Sequence, residues 1–277
     1  MTPFLKMHGL GNDFAVFDAR KHALALDAAA ARAIADRRRG IGCDQVIVIE
    51  KGANGADVFM RIVNADGGEV ESCGNAARCV ARLLMAEMDR DTVRIETLGG
   101  PLVCSDAGAG LVTVDMGAPI LVWDKVPLSC PADTNRFMLS VDGTSYAVAV
   151  VSMGNPHCVL FVDDAEAAPV ASLGPRIETH PMFPKRTNVE FVSVRDRAHL
   201  RMRVWERGAG ITQACGSGAC AAAVAAHRRG LADAKVEVEL DGGVLILELR
   251  EGDGHVLMTG PAALSFRGEI DLAELAS

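Results

Sequence analysis

An α+β fold built from two pseudo-symmetric halves, each a sheet wrapped around a central helix, is what this 277-residue sequence predicts. Three observations carry that prediction. The first is an internal repeat. RIVNADGGEVESCGNAA from Arg61 aligns without a gap on RVWERGAGITQACGSGA from Arg203, so that Arg61 matches Arg203, Gly68 matches Gly210, Cys73 matches Cys215 and Gly74 matches Gly216, each pair 142 positions apart (61 to 203, 73 to 215). Met116 and Pro119 fall on Met258 and Pro261 at the same separation. Upstream the separation is 143, with Gly11-Asn12 on Gly154-Asn155 and Gln45-Val46 on Asn188-Val189, so one single-residue indel reconciles the blocks. The second observation is a run of short apolar stretches punctuated by Gly, Asp and Asn. The third is a helical pattern directly after a Cys-Gly pair in each copy.

Taken in chain order, the first copy shows strands around 46–49 and 93–96, bounded by turn residues. Between them lies a helix over 75–88. Arg37, Arg38 and Arg39 close an earlier helix-like stretch and would favour its C-terminus. Residues 106–110 read as a hairpin turn. In the second copy, strands are expected around 189–192 and 236–240, the latter alternating as VEVEL and so wet on one face. Its helix, 218–229, is nearly all alanine over 219–226 and must be packed on most sides. The repeat sets the halves at 1–119 and 120–262, with 120–143 as a linker, and 263–277, through the strand-like LSFRGEI, completing the first half.

Composition narrows the function classes. The formal charge is −8, and the 28 Lys and Arg are scattered, so neither a nucleic-acid footprint nor a polybasic membrane anchor is present. No apolar run approaches the roughly 18 residues of a membrane span, and no signal-like segment opens the chain. We therefore expect a cytoplasmic protein. Eight cysteines without a C-x-x-C pair fit neither a disulfide framework nor a zinc site, and no metal is expected.

Two cysteines have a distinctive setting. Cys73 and Cys215 each precede a glycine at a helix start. There the positive end of the helix favours thiolate over thiol, and unpaired first-turn N–H groups form an anion site that glycine leaves open to a ligand. If the copies pack about a pseudo-twofold axis, the two thiols flank one ligand in the cleft between the halves. One thiolate then takes an α-proton from one face, and the opposite thiol returns a proton to the other. A cysteine hydrolase with His157 as base, or a non-catalytic amino-acid-binding protein, remains an alternative, but neither explains the repeated thiol.

HGLGNDF, RRRGIGCDQ, NADGGEVESCGNAARC, MGNPHCV, RTNVEF and RVWERGAGITQACGSGAC together resemble the diaminopimelate epimerase family, from Met7 to the C-terminal strand. The resemblance implies a cofactor-independent isomerase, usually homodimeric, that interconverts LL- and meso-diaminopimelate for lysine and peptidoglycan precursors. It assigns Cys73 and Cys215 as the acid/base pair, and the backbone of Gly74, Asn75, Gly216 and Ser217 to the reacting carboxylate. Asn12, Gln45, Asn64, Asn155, Asn188, Glu206 and Arg207 become substrate ligands, with His157 and Glu206 supporting catalysis. Such a list suits a diamino dicarboxylate, which calls for amides, one fixed anion and one fixed cation. A proline or hydroxyproline racemase of the same fold is the nearest alternative, and it has no need of the Glu206-Arg207 pair. Ala76, Ile211 and Phe266 depart from the family pattern; Phe266, where relatives carry Tyr, bears on dimer contacts.

Overall fold

The computed structural model describes residues 1–275; residues 276 and 277, the end of the segment 263–277 assigned to the first half, lie outside the described residues. Two compact units emerge, one of residues 1–114 with the chain from 260 onward, the other of residues 115–259. Residues 115–119 thus fall to the second unit and 260–262 to the first, a few positions from the repeat boundaries.

The first unit runs β1 (Thr2–Gly9), β2 (Asn12–Asp18), α1 (Ala28–Ala35), β3 (Gln45–Lys51), β4 (Val58–Asn64), α2 (Gly74–Met88), β5 (Thr92–Thr97), β6 (Gly100–Asp106) and β7 (Leu111–Asp115). The second runs β8 (Phe137–Val141), β9 (Thr144–Ser152), β10 (Pro156–Phe161), α3 (Val170–Glu178), β11 (Asn188–Val194), β12 (His199–Glu206), β13 (Gly210–Ile211), α4 (Gly216–Arg228), β14 (Lys235–Leu240), β15 (Gly243–Leu249) and β16 (Val256–Pro261). β17 (Ala263–Ile270) and the short α5 (Leu272–Leu275) belong to the first unit, where β17 pairs antiparallel with β1.

The repeat is visible in the registers. β2 and β3 pair in parallel with Phe14 opposite Gln45 and Val16 opposite Ile47. β10 and β11 do the same with His157 opposite Asn188 and Val159 opposite Glu190. Every residue of the second set stands 143 positions after its counterpart (14 to 157, 45 to 188, 47 to 190). In the first unit a two-residue turn, Leu10 at φ +57° and Gly11 at φ +84°, reverses the chain between β1 and β2 and delivers Asn12 at the head of β2. Left-handed backbone at both central positions matches the strand twist, and glycine takes the second without strain.

Both helices begin earlier than their propensity suggests. α2 starts at Gly74 and α4 at Gly216, immediately after cysteines in extended conformation (φ −145° and −109°). First-turn N–H groups make no intrahelical bonds, so Gly and Ser are tolerated there. α4 is buried from Gly218 to Ala226, and it packs against β9, β10, β11, β12, β14 and β15 of its own unit. With methyl-sized side chains the sheet approaches closely on most sides. β14 alternates buried and exposed positions as its sequence predicts.

The expected linker is structured. Ile120 bridges to Ser152, and Val126 and Leu128 are buried in the second unit's core with Leu160, Leu173 and Phe191. A core around Phe4, Phe17, Ile34 and Val46 fills the first unit. The arginine triplet does not cap α1. Arg37 turns instead to Asp13 and Asp44, while Asp36 accepts the backbone N–H groups of Arg38 and Arg39. No helix among the described residues is long and apolar enough to cross a membrane.

Candidate active site

In the first unit Cys73 is half-buried at the head of α2. Its Sγ lies 3.9 Å from Asn12 Oδ1, which also accepts from Asn75 Nδ2 at 3.1 Å. Asn12 Nδ2 donates to Asp44 Oδ2 at 3.0 Å, and Asn75 Oδ1 accepts from Arg78 Nη2 at 2.9 Å. Arg78 is fully buried and ties α2 to the Pro261 carbonyl. Beneath Asn12 sits an ion cluster. Asp13 accepts from Lys6 Nζ at 2.5 Å and from the Arg37 fork at 2.8 and 3.0 Å, and Arg37 also reaches Asp44. Burial works to raise the Asp13 carboxyl, but Arg37 and Lys6 outweigh it and hold the group well below the usual carboxylate range.

Gln45 and Asn64 face each other across β3 and β4, with Gln45 Nε2 donating to Asn64 Oδ1 at 2.9 Å. Gln45 Oε1 is buried without a hydrogen-bond partner. Such an oxygen costs about 1–3 kcal/mol unless something donates to it, so it marks a place for a donor such as an ammonium.

In the second unit Cys215 is buried at the head of α4, 3.7 Å from Ser217 Oγ. Asn155 Nδ2 donates to the same hydroxyl at 3.3 Å. Asn155 Oδ1 lies 2.9 Å from His157 Nε2, and His157 Nδ1 lies 2.6 Å from Glu190 Oε1, both of that last pair being fully buried. Glu206 accepts from Thr212 Oγ1, and its carboxyl and the Cys215 thiol act on one another electrostatically. Asn188 is committed to backbone, donating to Pro156 O at 3.0 Å and accepting from Arg207 N at 2.9 Å, which leaves its amide one N–H and one lone pair. Arg207 is exposed, and its Nη1 donates to Lys185 O. Buried Glu178 braces this loop by accepting from Trp205 Nε1 and from the Gly208 N–H.

The electrostatics at Cys215 reverse one expectation. A helix start alone would lower the thiol, but burial first, then the negative charge of Glu206, push it well above its ordinary range. The Gly218 N–H and the Ser217 hydroxyl favour thiolate without overcoming those terms. Glu206 is itself raised by burial, offset by Thr212 and the Cys215 thiol. Thiol and carboxyl are thus both raised by burial, and the Glu206 charge adds to the cost of ionising the thiol.

Sequence reasoning passed over Asp13, Asp44, Arg78, Thr212 and above all Glu190. The signal for Glu190 was present: a charged residue inside NVEFVSV, an apolar run that reads as a buried strand. No group of three or more His, Cys, Asp or Glu among the described residues is placed to hold a metal ion.

The diaminopimelate epimerase family profile matches residues 4–122 and 149–265. The chain belongs to the diaminopimelate epimerase family. A diaminopimelate epimerase from Acidiphilium cryptum is 55% identical over 274 residues, covering 99% of this chain and 98% of that one. Another from Rhodospirillum centenum is also 55% identical, over 96% of this chain and 91% of its own. Among solved structures, a probable proline racemase from Agrobacterium radiobacter superposes with a TM-score of 0.72 at 15% identity, covering 98% of this chain and 93% of that one. The last likeness is one of fold, the duplicated two-domain α+β architecture that diaminopimelate epimerase family members share with it.

Proposed function

We propose that the chain epimerises LL-diaminopimelate to meso-diaminopimelate without a cofactor, with one thiol from each unit acting on the α-carbon. The observation that carries this reading is the placement of Cys73 and Cys215 at repeat-equivalent helix starts, in a chain 55% identical to a named diaminopimelate epimerase over 99% of its length. Cys215, pushed toward the thiol form, is the acid in the direction that delivers a proton from its side; Glu206 holds that proton when Cys215 serves as base. Cys73 does the converse work on the other face. The first-turn N–H groups at Gly74, Asn75, Gly216 and Ser217 hold the reacting carboxylate and stabilise the charge that builds on it.

Asn12, Asn64, Asn155 and Asn188 contribute amide contacts, Gln45 offers its unpartnered oxygen to an ammonium, Arg207 supplies the fixed cation, and Glu206 contacts an ammonium in the state in which its proton is on Cys215. The eight free thiols support a reducing cytoplasm, and family resemblance supports a homodimer, which sedimentation would test.

Conversion of LL- to meso-diaminopimelate by the purified protein, with α-deuterium incorporation from D2O, tests the reading. Cys73→Ala and Cys215→Ala should each retain less than about a tenth of wild-type epimerisation, a loss of at least ~1.4 kcal/mol of transition-state stabilisation. Retention above that level refutes the two-thiol mechanism, and efficient racemisation of proline by the wild type refutes the substrate.

A further inference from the structure

Two buried residues distinguish the halves of the repeat. Where the first unit packs Phe14 and Ile47, both fully buried on adjacent parallel strands, the second places His157 and Glu190 at the same registers, equally buried. Resting on the epimerase reading above, we infer that Glu190 is a positioning residue: its carboxyl fixes the tautomer of His157 and, through it, the orientation of Asn155 and Ser217 beside Cys215.

The donor and acceptor count dictates the arrangement. Asn155 Nδ2 donates to Ser217 Oγ, so Asn155 Oδ1 faces His157 Nε2, which must carry a proton to bond it. The opposite ring nitrogen, Nδ1, stands 2.6 Å from Glu190 Oε1. A carboxylate facing the bare lone pair of Nδ1 would be repulsive, so one further proton lies between them, and the pair is neutral overall. Burial, the largest influence on Glu190, raises its carboxyl and favours the form in which the acid O–H donates to Nδ1. With Nδ1 so occupied, the ring has one orientation in which both nitrogens are satisfied, and Asn155 has one amide orientation that matches it. Glu190 Oε2 has no hydrogen-bond partner, so the carboxyl is retained in the core despite an unsatisfied oxygen. That fits a role the apolar pair of the first unit cannot fill.

The helix beneath leaves room for the carboxyl. A Cβ at Gly218 would lie 2.8 Å from Glu190 Oε1 and 3.2 Å from Cys215 Sγ. Its repeat counterpart, 142 positions earlier, is Ala76, buried in the unit that has Ile47 instead (76 to 218). Glycine on α4 thus makes room for the carboxyl between the thiol and the imidazole.

The test compares Glu190→Gln, Glu190→Ile and the double variant His157→Phe/Glu190→Ile in the full chain. It uses imidazole 15N NMR alongside kcat and KM for both directions of epimerisation. Glutamine can donate an N–H to Nδ1, so Glu190→Gln should keep the Nε2–H tautomer and kcat within about threefold of wild type. Glu190→Ile should give mixed tautomers and a kcat at least about tenfold lower with a smaller change in KM. The double variant imports the apolar pair of the first unit; it should unfold at or above the wild-type midpoint and still lose at least about tenfold in kcat. A tautomer shift or a tenfold loss in Glu190→Gln overturns the inference, as does wild-type kcat in either of the other variants. Because the Gln variant alone can decide, a failure of Glu190→Ile to fold leaves the inference exposed. Absence of epimerisation in the wild type would overturn the proposed function instead, with the NMR comparison still deciding the role of Glu190.

Discussion

Replacing Asp13 by asparagine removes the anion on which the amide cluster around Cys73 is built. In the native protein this carboxylate takes Lys6 Nζ at 2.5 Å, both prongs of Arg37 and the Asp44 N–H at 2.9 Å. Arg37 is more than half exposed, so its share is small. Lys6 is different: its side chain is about nine-tenths buried, and its other acceptor is the Gly42 carbonyl. At an effective dielectric of about 20 the gross attraction across that pair is roughly 6–7 kcal/mol. Desolvation cancels much of it, and removing one partner of such a pair costs on the order of 3 kcal/mol. For a unit of this size that corresponds to a fall of roughly 6–12 °C in melting temperature. The pH dependence has a definite sign. A carboxyl held below its unfolded value of about 3.9 contributes stability that is fully present above that pH and is lost as pH falls toward the folded value. Wild type should therefore exceed Asp13→Asn by about 3 kcal/mol in urea unfolding at pH 7, and the gap should narrow steadily below pH ~4. A gap under about 1 kcal/mol at pH 7, or one that stays constant down to pH 3, refutes the account of the cluster.

Three further outcomes are expected. Thr212→Val removes a donor that opposes the upward push of burial on Glu206, so the acid limb of the kcat/KM profile should move to higher pH, with a loss of roughly fivefold at neutrality; an unmoved limb would separate Glu206 from catalysis. Arg207→Ala should raise KM for diaminopimelate and lower kcat/KM by about 2 kcal/mol, while the melting temperature stays put because the side chain is exposed. Equal kcat/KM in mutant and wild type would remove Arg207 from the ligand set. Thiol titration at pH 8 should modify Cys130 quickly and leave Cys43, Cys79 and Cys104, raised by burial to about 11, 12 and 12, unreacted until the protein unfolds; rapid native-state labelling of those three would contradict their packing.

The duplication, the helices after the cysteines and the strand at 236–240 were legible because each leaves a periodic or repeated mark on the chain. The Ala-rich stretch announced the burial of α4 for the same reason: a helix without a polar face has nothing to show to water. Electrostatics were less legible. The position of Cys215 at a helix start pointed to a lowered thiol, whereas its degree of burial and its nearness to the carboxyls of Glu206 and Glu190 depend on the packing of separate elements, which no local motif encodes. The arginine triplet misled similarly, since Arg37 finds its partners at Asp13, 24 residues earlier, and at Asp44. Asp36, which no motif singled out, accepts the backbone N–H groups of Arg38 and Arg39 and organises the turn.

The two units therefore solve one problem, holding a thiol at a helix start, with different chemistry. In the first, Cys73 touches amides, and those amides are tied down by an ion cluster one layer away. In the second, Cys215 lies between a raised carboxyl and a chain of hydrogen bonds that ends in a buried acid. On the two-thiol reading proposed above, LL- and meso-diaminopimelate present different configurations at the reacting carbon, and each thiol would meet only one of them as acid. On that reading, the unequal surroundings would tune each half to its own proton transfer. The repeat alignment places the difference in surroundings at the position pairs 14 and 157, and 47 and 190, where one fold sets an apolar pair in the first unit and a His–Glu pair in the second at the same strand registers.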